Sequence, residues 1–213
     1  MENDTRNDFR QVDSASTLRA IEKLQNDRCY RDTRGLFFVE GVRNFVAAVD
    51  HRFKIHTLFY CEKLLTNPLA RKLVRRLKRA GVPFTRVSPE EFRKVSKTER
   101  ASGVGAILCQ RIHQLERITV RNGQGWTAIS HARSPGNFGS LIRTSAATGA
   151  AGFFLLGDSI DPYDPTVVRA TMGALFRQVL VRTSVEELRR WAELHSIQVI
   201  GASPDGTVDY DQV

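Results

Sequence analysis

The sequence predicts an α/β protein that is built from two domains in series. Short apolar runs alternate with amphipathic stretches along almost the whole chain, which is typical of helices packed on sheets. Of the 213 residues, 41% are hydrophobic and 26% are charged, as in ordinary globular proteins. The charge is uneven, because residues 1–115 carry 23 basic and 13 acidic side chains whereas residues 116–213 carry 9 and 10. We therefore expect a basic first domain and a nearly neutral second one.

The first domain is expected at residues 14–110, after a polar stretch at 1–13 that we expect to be disordered. Apolar spacings of three and four residues, with proline at two helix starts, predict helices from residue 14 onward and at 42–49, 68–80 and 89–95. Ser88 and Glu91 form a capping box at the start of the last of these helices. Apolar runs predict strands at 36–40, 55–60, 83–87 and 104–109, and the charged stretch at 26–35 leads into the first of them.

The second domain is expected at residues 125–213, after a linker at 111–124 that has no clean periodicity. Strands are predicted at 126–130, 152–156, 178–182 and 197–202. Helices are predicted after the turn at 134–139, at 165–174, and up to residue 195 behind a capping box of Ser184 and Glu187.

The stretch SPGNFGSLIRTSAATG at residues 134–149 joins the first two strands of this domain as a tight turn followed by a helix. Such a turn lies at the carboxyl edge of a parallel sheet, where open α/β sheets bind their ligands. The N-terminus of the helix also attracts anionic or polar groups. Gly136 and Gly139 would let a ligand approach the backbone closely. The alternative, that both glycines serve only the turn, stays open at this point.

The three cysteines, Cys29, Cys61 and Cys109, are widely spaced and form no C-x-x-C pair. This pattern argues against a disulfide framework or a zinc site and favours free thiols in a reducing compartment. The N-terminus lacks an apolar signal region, and no run approaches the roughly 18 apolar residues of a membrane span. We therefore expect no metal, no membrane contact and a cytoplasmic location.

The residues around the turn resemble the SpoU (TrmH) family of RNA ribose 2′-O-methyltransferases, which have a SPOUT-type fold. The family's first motif is similar to N-x-G-x-x-x-R-T and matches Asn137, Gly139, Arg143 and Thr144. Its second segment, D-P-Y-x-P followed by R-x-x-M-G-A, matches residues 161–174. The N-terminal domain resembles the ribosomal-protein-type RNA-binding domain of many members, best at R-G-x-F-x-x-E-G in residues 34–41.

The resemblance implies transfer of a methyl group from S-adenosylmethionine to a ribose 2′-hydroxyl in RNA, in ribosomal RNA rather than transfer RNA, by a homodimer. In the family a matching arginine activates the hydroxyl. Because arginine is a reluctant general base, Arg143 would fix the ribose hydroxyl and an adjacent phosphate and hold the developing alkoxide charge. Asn137 would hold the turn and neighbouring groups. Gly157 and Gly201, at the edge of the sheet, would contact the cofactor.

Basic side chains are the candidates for RNA contact, because a positive surface binds phosphate backbones through counterion release. The predicted contacts are Arg28, Arg31, Arg34, Arg75, Arg76, Arg79 and Arg169. For the arginines at 75–79 a merely solvated helix face stays open, and for Arg169 an ion pair with Asp161 or Asp164 stays open. His131, just before the turn, is interpreted as a solvent-facing loop histidine.

Two later motifs of the family, a G-x-E turn and an S-L-N-V-S stretch, have no counterpart in this sequence. In the family they form a C-terminal knot and most of the wall around the cofactor, so we expect weak cofactor binding by these 213 residues alone. A truncated or catalytically inactive RNA-binding relative is therefore an alternative function. An unrelated nucleotide-binding α/β protein is a third hypothesis, but SPGNFGSLIR does not fit the G-x-G-x-x-G pattern that it predicts.

Overall fold

The computed structural model describes residues 10–120, 124–203, 205–209 and 212. The elements of the N-terminal part are α1 (Ser14–Asn26), α2 (Arg28–Arg34), β1 (Leu36–Glu40), α3 (Val42–Asp50), β2 (Ile55–Tyr60), α4 (Pro68–Arg79), β3 (Phe84–Arg86), α5 (Pro89–Val95) and β4 (Val104–Cys109). Those of the C-terminal part are β5 (Trp126–Ile129), α6 (Pro135–Ala147), β6 (Gly152–Leu156), α7 (Pro165–Ala170), β7 (Val179–Thr183) and α8 (Val185–Leu194). Short 3-10 turns lie at Leu115–Arg117 and Ala174–Arg177. The predicted α/β class is confirmed.

The N-terminal sheet has the strand order β1-β4-β2-β3, with β4 antiparallel to both neighbours and β3 parallel to β2. The sequence analysis missed α2, which is short and carries six charged or polar groups that look like a loop. Asp27 begins this helix by accepting a hydrogen bond from the Tyr30 amide, and Gly35 ends it at a φ of 61°.

The predicted disorder of residues 1–13 is wrong for the part that the structure describes. Gln11 forms a parallel bridge with Phe84 beside β3, and the Asp13 carboxylate accepts a hydrogen bond from the Ser16 amide at the start of α1. Residues 1–9 lie outside the described residues. The Asp13 cap satisfies an otherwise free amide of α1, which explains why the chain is fixed one turn ahead of the predicted helix.

The C-terminal sheet is parallel, with the order β5-β6-β7. Alternate residues of β6 face opposite sides: Phe153 and Leu155 pack in the core that contains α6 and α7, whereas Phe154 packs against Trp191 of α8. The predicted β-turn-α-β unit is therefore confirmed, with α6 and α7 on one face of the sheet and α8 on the other.

The predicted strand at 197–202 is wrong, because the described residues 197–203 contain no strand. A strand needs a hydrogen-bonding neighbour, and the linker occupies the outer edge of β7, where the His113 amide donates to Leu180 and His113 bridges Val181. The apolar side chains of Val199 and Ile200 consequently remain 66% and 58% exposed. The stretch at 197–203 therefore does not extend the sheet beside β7, and it pairs with no other strand of the described residues.

The predicted helix at 165–174 ends earlier, at Ala170. Met172 and Gly173 take φ values of 51° and 94°, in the left-handed region, and these values end the helix before a 3-10 turn. The two adjacent left-handed residues redirect the chain, so the M-G-A part of the motif forms a corner and not a continuous helix.

One hydrophobic core continues from one sheet to the other. Phe37 of β1 packs on Tyr163 with ring centroids 4.4 Å apart, and Phe53 packs edge-on against Phe176 at 5.0 Å. The core thus contains residues from both sides of the predicted linker at 111–124. Within the linker, Leu115 is buried in a separate cluster on the other face of the C-terminal sheet. The predicted division into domains at 14–110 and 125–213 stays a prediction.

In the part of the chain that the structure describes, no helix has the length and apolar character to cross a membrane. The same residues contain no group of three or more histidines, cysteines or acids arranged to hold a metal ion.

Candidate functional site

The motif stretch begins as a helix, not as a separate turn. Ser134 is the N-cap, its hydroxyl oxygen accepts a hydrogen bond from the Asn137 amide at 3.2 Å, and Pro135 takes the first helical position. Ser134 therefore holds this corner of the chain, a role that the sequence analysis assigned to Asn137. The Asn137 side chain is exposed and makes no hydrogen bond within the described residues.

Arg143 follows Asn137 by six residues on α6 and is also exposed. Six residues advance an α-helix by about 9 Å and turn it by about 600°, so the two side chains leave the axis in directions about 120° apart. The two predicted catalytic side chains are therefore both exposed and lie on the same helix, but on different faces of it.

Gly139 does not serve a ligand. A Cβ atom at this position would lie 2.5 Å from the Cβ of Ala170 and 3.0 Å from the carbonyl oxygen of Val167. The missing side chain therefore lets α6 pack closely against α7, which corrects the expectation of close approach to a ligand at Gly139. At Gly136 the nearest atom would be the Ser134 hydroxyl oxygen at 3.9 Å, so that position is open.

The D-P-Y-x-P residues join the C-terminal part to the N-terminal part. Asp161 forms an ion pair with Arg31 at 2.5 Å, and the two side chains are only 11% and 4% exposed. The Tyr163 hydroxyl accepts from the Arg111 amide at 2.7 Å and donates to the Arg111 carbonyl at 2.8 Å. Burial raises the pKa of the Tyr163 hydroxyl above its ordinary value. Asp164 caps α7 by accepting from its first backbone amides.

Arginines hold the loop after β6 from two sides. Arg28 donates to the backbone carbonyls of Asp158 and Ser159, and Arg182 donates to those of Gly157 at 2.8 Å and Ile160 at 3.2 Å. The bonds of Arg28 and the buried ion pair of Arg31 come from α2, the helix that the sequence analysis missed.

The prediction that Arg31 contacts RNA is therefore wrong, because its guanidinium is buried and its charge is neutralised by Asp161. Arg28 remains 36% exposed, but RNA contact would compete with its bonds to the loop. The ion pair predicted as an alternative for Arg169 is also wrong, since Asp161 pairs with Arg31 and Asp164 caps a helix. Arg169 is exposed.

The other predicted RNA contacts lie on the surface. The Arg34 guanidinium lies 5.6 Å from the centroid of the Tyr30 ring, which it partly covers. The three arginines of α4 that were predicted to contact RNA are exposed and form no ion pair within the described residues; they are Arg75, Arg76 and Arg79. His131 is exposed, as predicted.

The two predicted cofactor contacts are not equivalent in the structure. Gly157 ends β6 at the carboxyl edge of the sheet, with a φ of 77° and an amide that donates to Thr183. Open space surrounds the position where its Cβ would be. Gly201 lies in the stretch where the predicted strand is absent, so it is not part of this sheet edge. The prediction for Gly201 depended on that strand and is corrected with it.

Arg143 lines a groove of about 750 Å³ between α3 and the C-terminal part. The ionisable residues of its lining are all basic: Arg43, His51, Arg143 and Arg177. The sequence analysis missed three of these. A signal existed in α3, because Arg43, Ala47 and His51 are four residues apart and so share one face of the helix.

Comparisons with known proteins agree with the resemblance. Residues 15–106 match the MRM3-like substrate binding domain, and residues 127–213 match the SpoU rRNA Methylase family. A 23S rRNA (uridine(2479)-2'-O)-methyltransferase of Streptomyces viridochromogenes is 31% identical over 88% of this chain and 67% of its own length. The mitochondrial rRNA methyltransferase 3 of Homo sapiens is 25% identical over 77% of this chain and 39% of its own length.

Solved structures are also similar over most of the chain. An AdoMet-bound rRNA methyltransferase from Sinorhizobium meliloti has a TM-score of 0.84 and 29% identity, covering 95% of this chain and 76% of that one. The SpoU methyltransferase AviRb of Streptomyces viridochromogenes, in complex with AdoMet, has a TM-score of 0.73 and 30% identity, covering 85% of this chain and 68% of that one. With the motif residues on α6 and after β6 in place, the chain belongs to the SpoU rRNA methylase family.

Proposed function

We propose that the protein transfers the methyl group of S-adenosylmethionine to a ribose 2′-hydroxyl of RNA, and that this RNA is ribosomal rather than transfer RNA. The observation that carries the proposal is Arg143, a motif arginine that is exposed in a groove without carboxylates. The names of relatives that methylate rRNA, and the AdoMet in two similar solved structures, support the substrate and the cofactor.

The guanidinium of Arg143 is cationic and presents several N–H donors in one rigid plane. It therefore orients the ribose hydroxyl with its fixed donors and stabilises the negative charge that develops on the oxygen. The groove contributes no acid that would neutralise this charge. Asn137 stays a proposed site residue, as an exposed amide in the first turn of the same helix.

The carboxyl edge of the sheet is the proposed position for S-adenosylmethionine. Gly157 ends β6 there, and the space around its α-carbon is open. We assign Gly157 to cofactor contact and leave Gly201 out, because Gly201 is not at that edge. The cofactor supplies an electrophilic methyl group when bound, and the chain supplies the orientation of the hydroxyl.

The test is transfer of labelled methyl from S-adenosylmethionine to purified 23S rRNA, with transfer RNA as the parallel substrate. A 2′-O-methyl group blocks alkaline cleavage, so we expect the label in alkali-resistant dinucleotides of the rRNA. Label only in transfer RNA would contradict the substrate, and label in alkali-sensitive nucleotides would contradict the reaction. RNA binding without any transfer would favour the alternative, a catalytically inactive or truncated RNA-binding relative.

The RNA-binding surface in this proposal includes exposed arginines of the basic N-terminal part and one of α7: Arg34, Arg75, Arg76, Arg79 and Arg169. Replacement of Arg75, Arg76 and Arg79 by glutamate should weaken RNA binding and make it less dependent on salt. With fewer phosphate contacts, binding releases fewer counterions from the RNA. Unchanged affinity would return this face of α4 to a solvated surface.

We further propose that the enzyme is a cytoplasmic homodimer. Cys29, Cys61 and Cys109 are unpaired, which is usual in a reducing compartment. The apolar side chains of Leu194 and Val199 are 80% and 66% exposed, which supports a protein contact in this region. Sedimentation of a 24.0 kDa monomer alone, at micromolar concentration, would contradict the dimer.

A further inference from the structure

The groove that contains Arg143 is built by both halves of the chain. Its N-terminal wall is α3, which contributes Arg43 and His51, and its C-terminal wall is α6 with the corner after α7, which contributes Arg177. We propose that this groove binds the phosphate backbone of the RNA that flanks the methylated ribose, with Arg43 and Arg177 as the main phosphate contacts. The inference rests on the proposed function and adds a substrate-binding site to it.

The groove has a strongly basic lining. Arg43, Arg143 and Arg177 are exposed, and they form no ion pair within the described residues. The lining also contains the exposed hydroxyl groups of Ser140 and Thr144, which can donate to phosphate oxygens. Several unneutralised guanidiniums beside hydroxyl donors match a phosphodiester, since arginine binds phosphate through paired N–H donors.

The two walls of the groove pack closely against each other. A Cβ atom on Gly173 would lie 3.0 Å from the Cβ of Ala47, so α3 sits directly on the corner formed by Met172 and Gly173. The Arg43 guanidinium contacts the Met172 sulfur at 3.5 Å. Close backbone packing of this kind holds the basic groups of both walls at a set distance, so less order has to be imposed when RNA binds.

The arginines of the groove differ from those near the loop after β6 in the partners that they bind. Those near the loop after β6 bond to carbonyls or to Asp161, so they have little capacity for a phosphate. Within the described residues, the side chains of those in the groove bond to no carbonyl and to no carboxylate, and Arg43 contacts only the Met172 sulfur. Phosphates held by Arg43 and Arg177 would bring the backbone past Arg143, so loss of these residues should raise the KM for RNA more than it lowers kcat.

The test compares two double variants with equal change of charge. Arg43→Gln/Arg177→Gln removes the proposed contacts, and Arg189→Gln/Arg190→Gln removes two exposed arginines from α8, on the opposite face of the C-terminal sheet. The probe is a fluorescein-labelled fragment of 23S rRNA, titrated at several salt concentrations. We expect the groove variant to bind about tenfold more weakly and to lose about two from the slope of log affinity against log salt. The α8 variant should change little.

Equal losses in both variants would overturn the inference, because they would reflect net charge alone. No loss in the groove variant would also overturn it. Arg43→Lys/Arg177→Lys, which keeps the charge, should restore most of the salt slope, and thermal melting of each variant checks that the fold is intact. Methyl transfer distinguishes the two proposals. If the wild type is active and the groove variant binds RNA as tightly as the wild type, only the groove proposal is contradicted. If the wild type binds no RNA, both proposals are contradicted.

Discussion

Two groups of arginines in this protein look alike in the sequence and differ in the structure. Arg28, Arg31 and Arg182 converge on the loop after β6, where they donate to carbonyls and to Asp161. The other group, Arg43, Arg143 and Arg177, lines a groove without a carboxylate. In the first group, Arg28 and Arg31 join the two halves of the chain, and Arg182 fixes the same loop from within the C-terminal half. The second group is available to a ligand.

The difference follows from what each arginine meets. A buried guanidinium needs acceptors for its donors, since an unpaired buried charge is very costly. The loop at 157–161 supplies a carboxylate and several carbonyl oxygens, so arginines that fold against it are used internally. The excess of basic residues in the N-terminal half therefore overstates the charge that RNA can reach, because it includes Arg31.

The largest expected effect tests the internal group. Arg31→Met should lower the free energy of unfolding by about 3–5 kcal/mol, because it leaves the buried carboxylate of Asp161 without its cationic partner. Urea denaturation followed by circular dichroism measures this. Arg34→Met on the same helix is the matched control, and its exposed position should keep the change within about 0.5 kcal/mol.

A loss below about 1 kcal/mol for Arg31→Met would mean that Asp161 is solvated without its partner. The ion pair would then not be what holds the loop to α2. In that case Arg31 could not be counted among arginines that stabilise the fold.

The second prediction tests the available group at its proposed chemical centre. Arg143→Ala should lower methyl transfer by about 100- to 1000-fold, because it removes the group that stabilises the developing negative charge. RNA affinity should fall less than in Arg43→Gln/Arg177→Gln. Single-turnover transfer at saturating RNA, together with direct binding, separates the two effects. Poor RNA binding with normal turnover at saturation would reassign Arg143 to positioning of the substrate.

Local signals in the sequence located most of the elements. The capping boxes of Ser88 with Glu91 and of Ser184 with Glu187 are both present, and the helices behind them begin where predicted. These predictions succeeded because each cap depends on residues three apart. The strand at 197–202 failed because a strand depends on a neighbour, and the apolar alternation contains no information about which edge is free.

The candidate site was predictable only in part, for a similar reason. Arg143 could be found from the motif on α6, and the sheet edge from the strand order of a β-turn-α-β unit. The spacing of Arg43 and His51 indicates only that they share a face of α3. It could not predict the groove, since they lie about a hundred residues before Arg143 and reach it where α3 packs on Gly173, after α7. Arg31 was misassigned because its partner, Asp161, is equally distant in sequence.

The third prediction concerns the close contact between α6 and α7 at Gly139. Gly139→Ala should lower the free energy of unfolding by about 1–3 kcal/mol, because the added methyl would overlap Ala170 and push α6 from α7. Gly136→Ala, in the first turn of the same helix, has room and should stabilise by about 0.5 kcal/mol. Equal effects of the two changes would show that the close contact at Gly139 is not limiting.

The smallest expected effect lies on α8, outside both groups of arginines. Hydrogen bonds from the Ser184 amide and then from the Thr183 hydroxyl hold the pKa of Glu187 below its usual value of 4.5. A carboxylate whose pKa is lowered on folding adds stability above the unfolded pKa, and this stability is lost as the pH falls below about 4.5. Glu187→Gln keeps an acceptor in the capping box but cannot titrate. The stability difference between wild type and Glu187→Gln should therefore be present near neutral pH and vanish towards about pH 3, as measured by urea denaturation across that range.

RNA affinity and methyl transfer should be unchanged, because α8 covers the opposite face of the sheet from the groove. A stability difference that persists at acid pH, or a change in RNA affinity, would show that Glu187 acts through packing or through the substrate surface and not through its charge at the helix N-terminus.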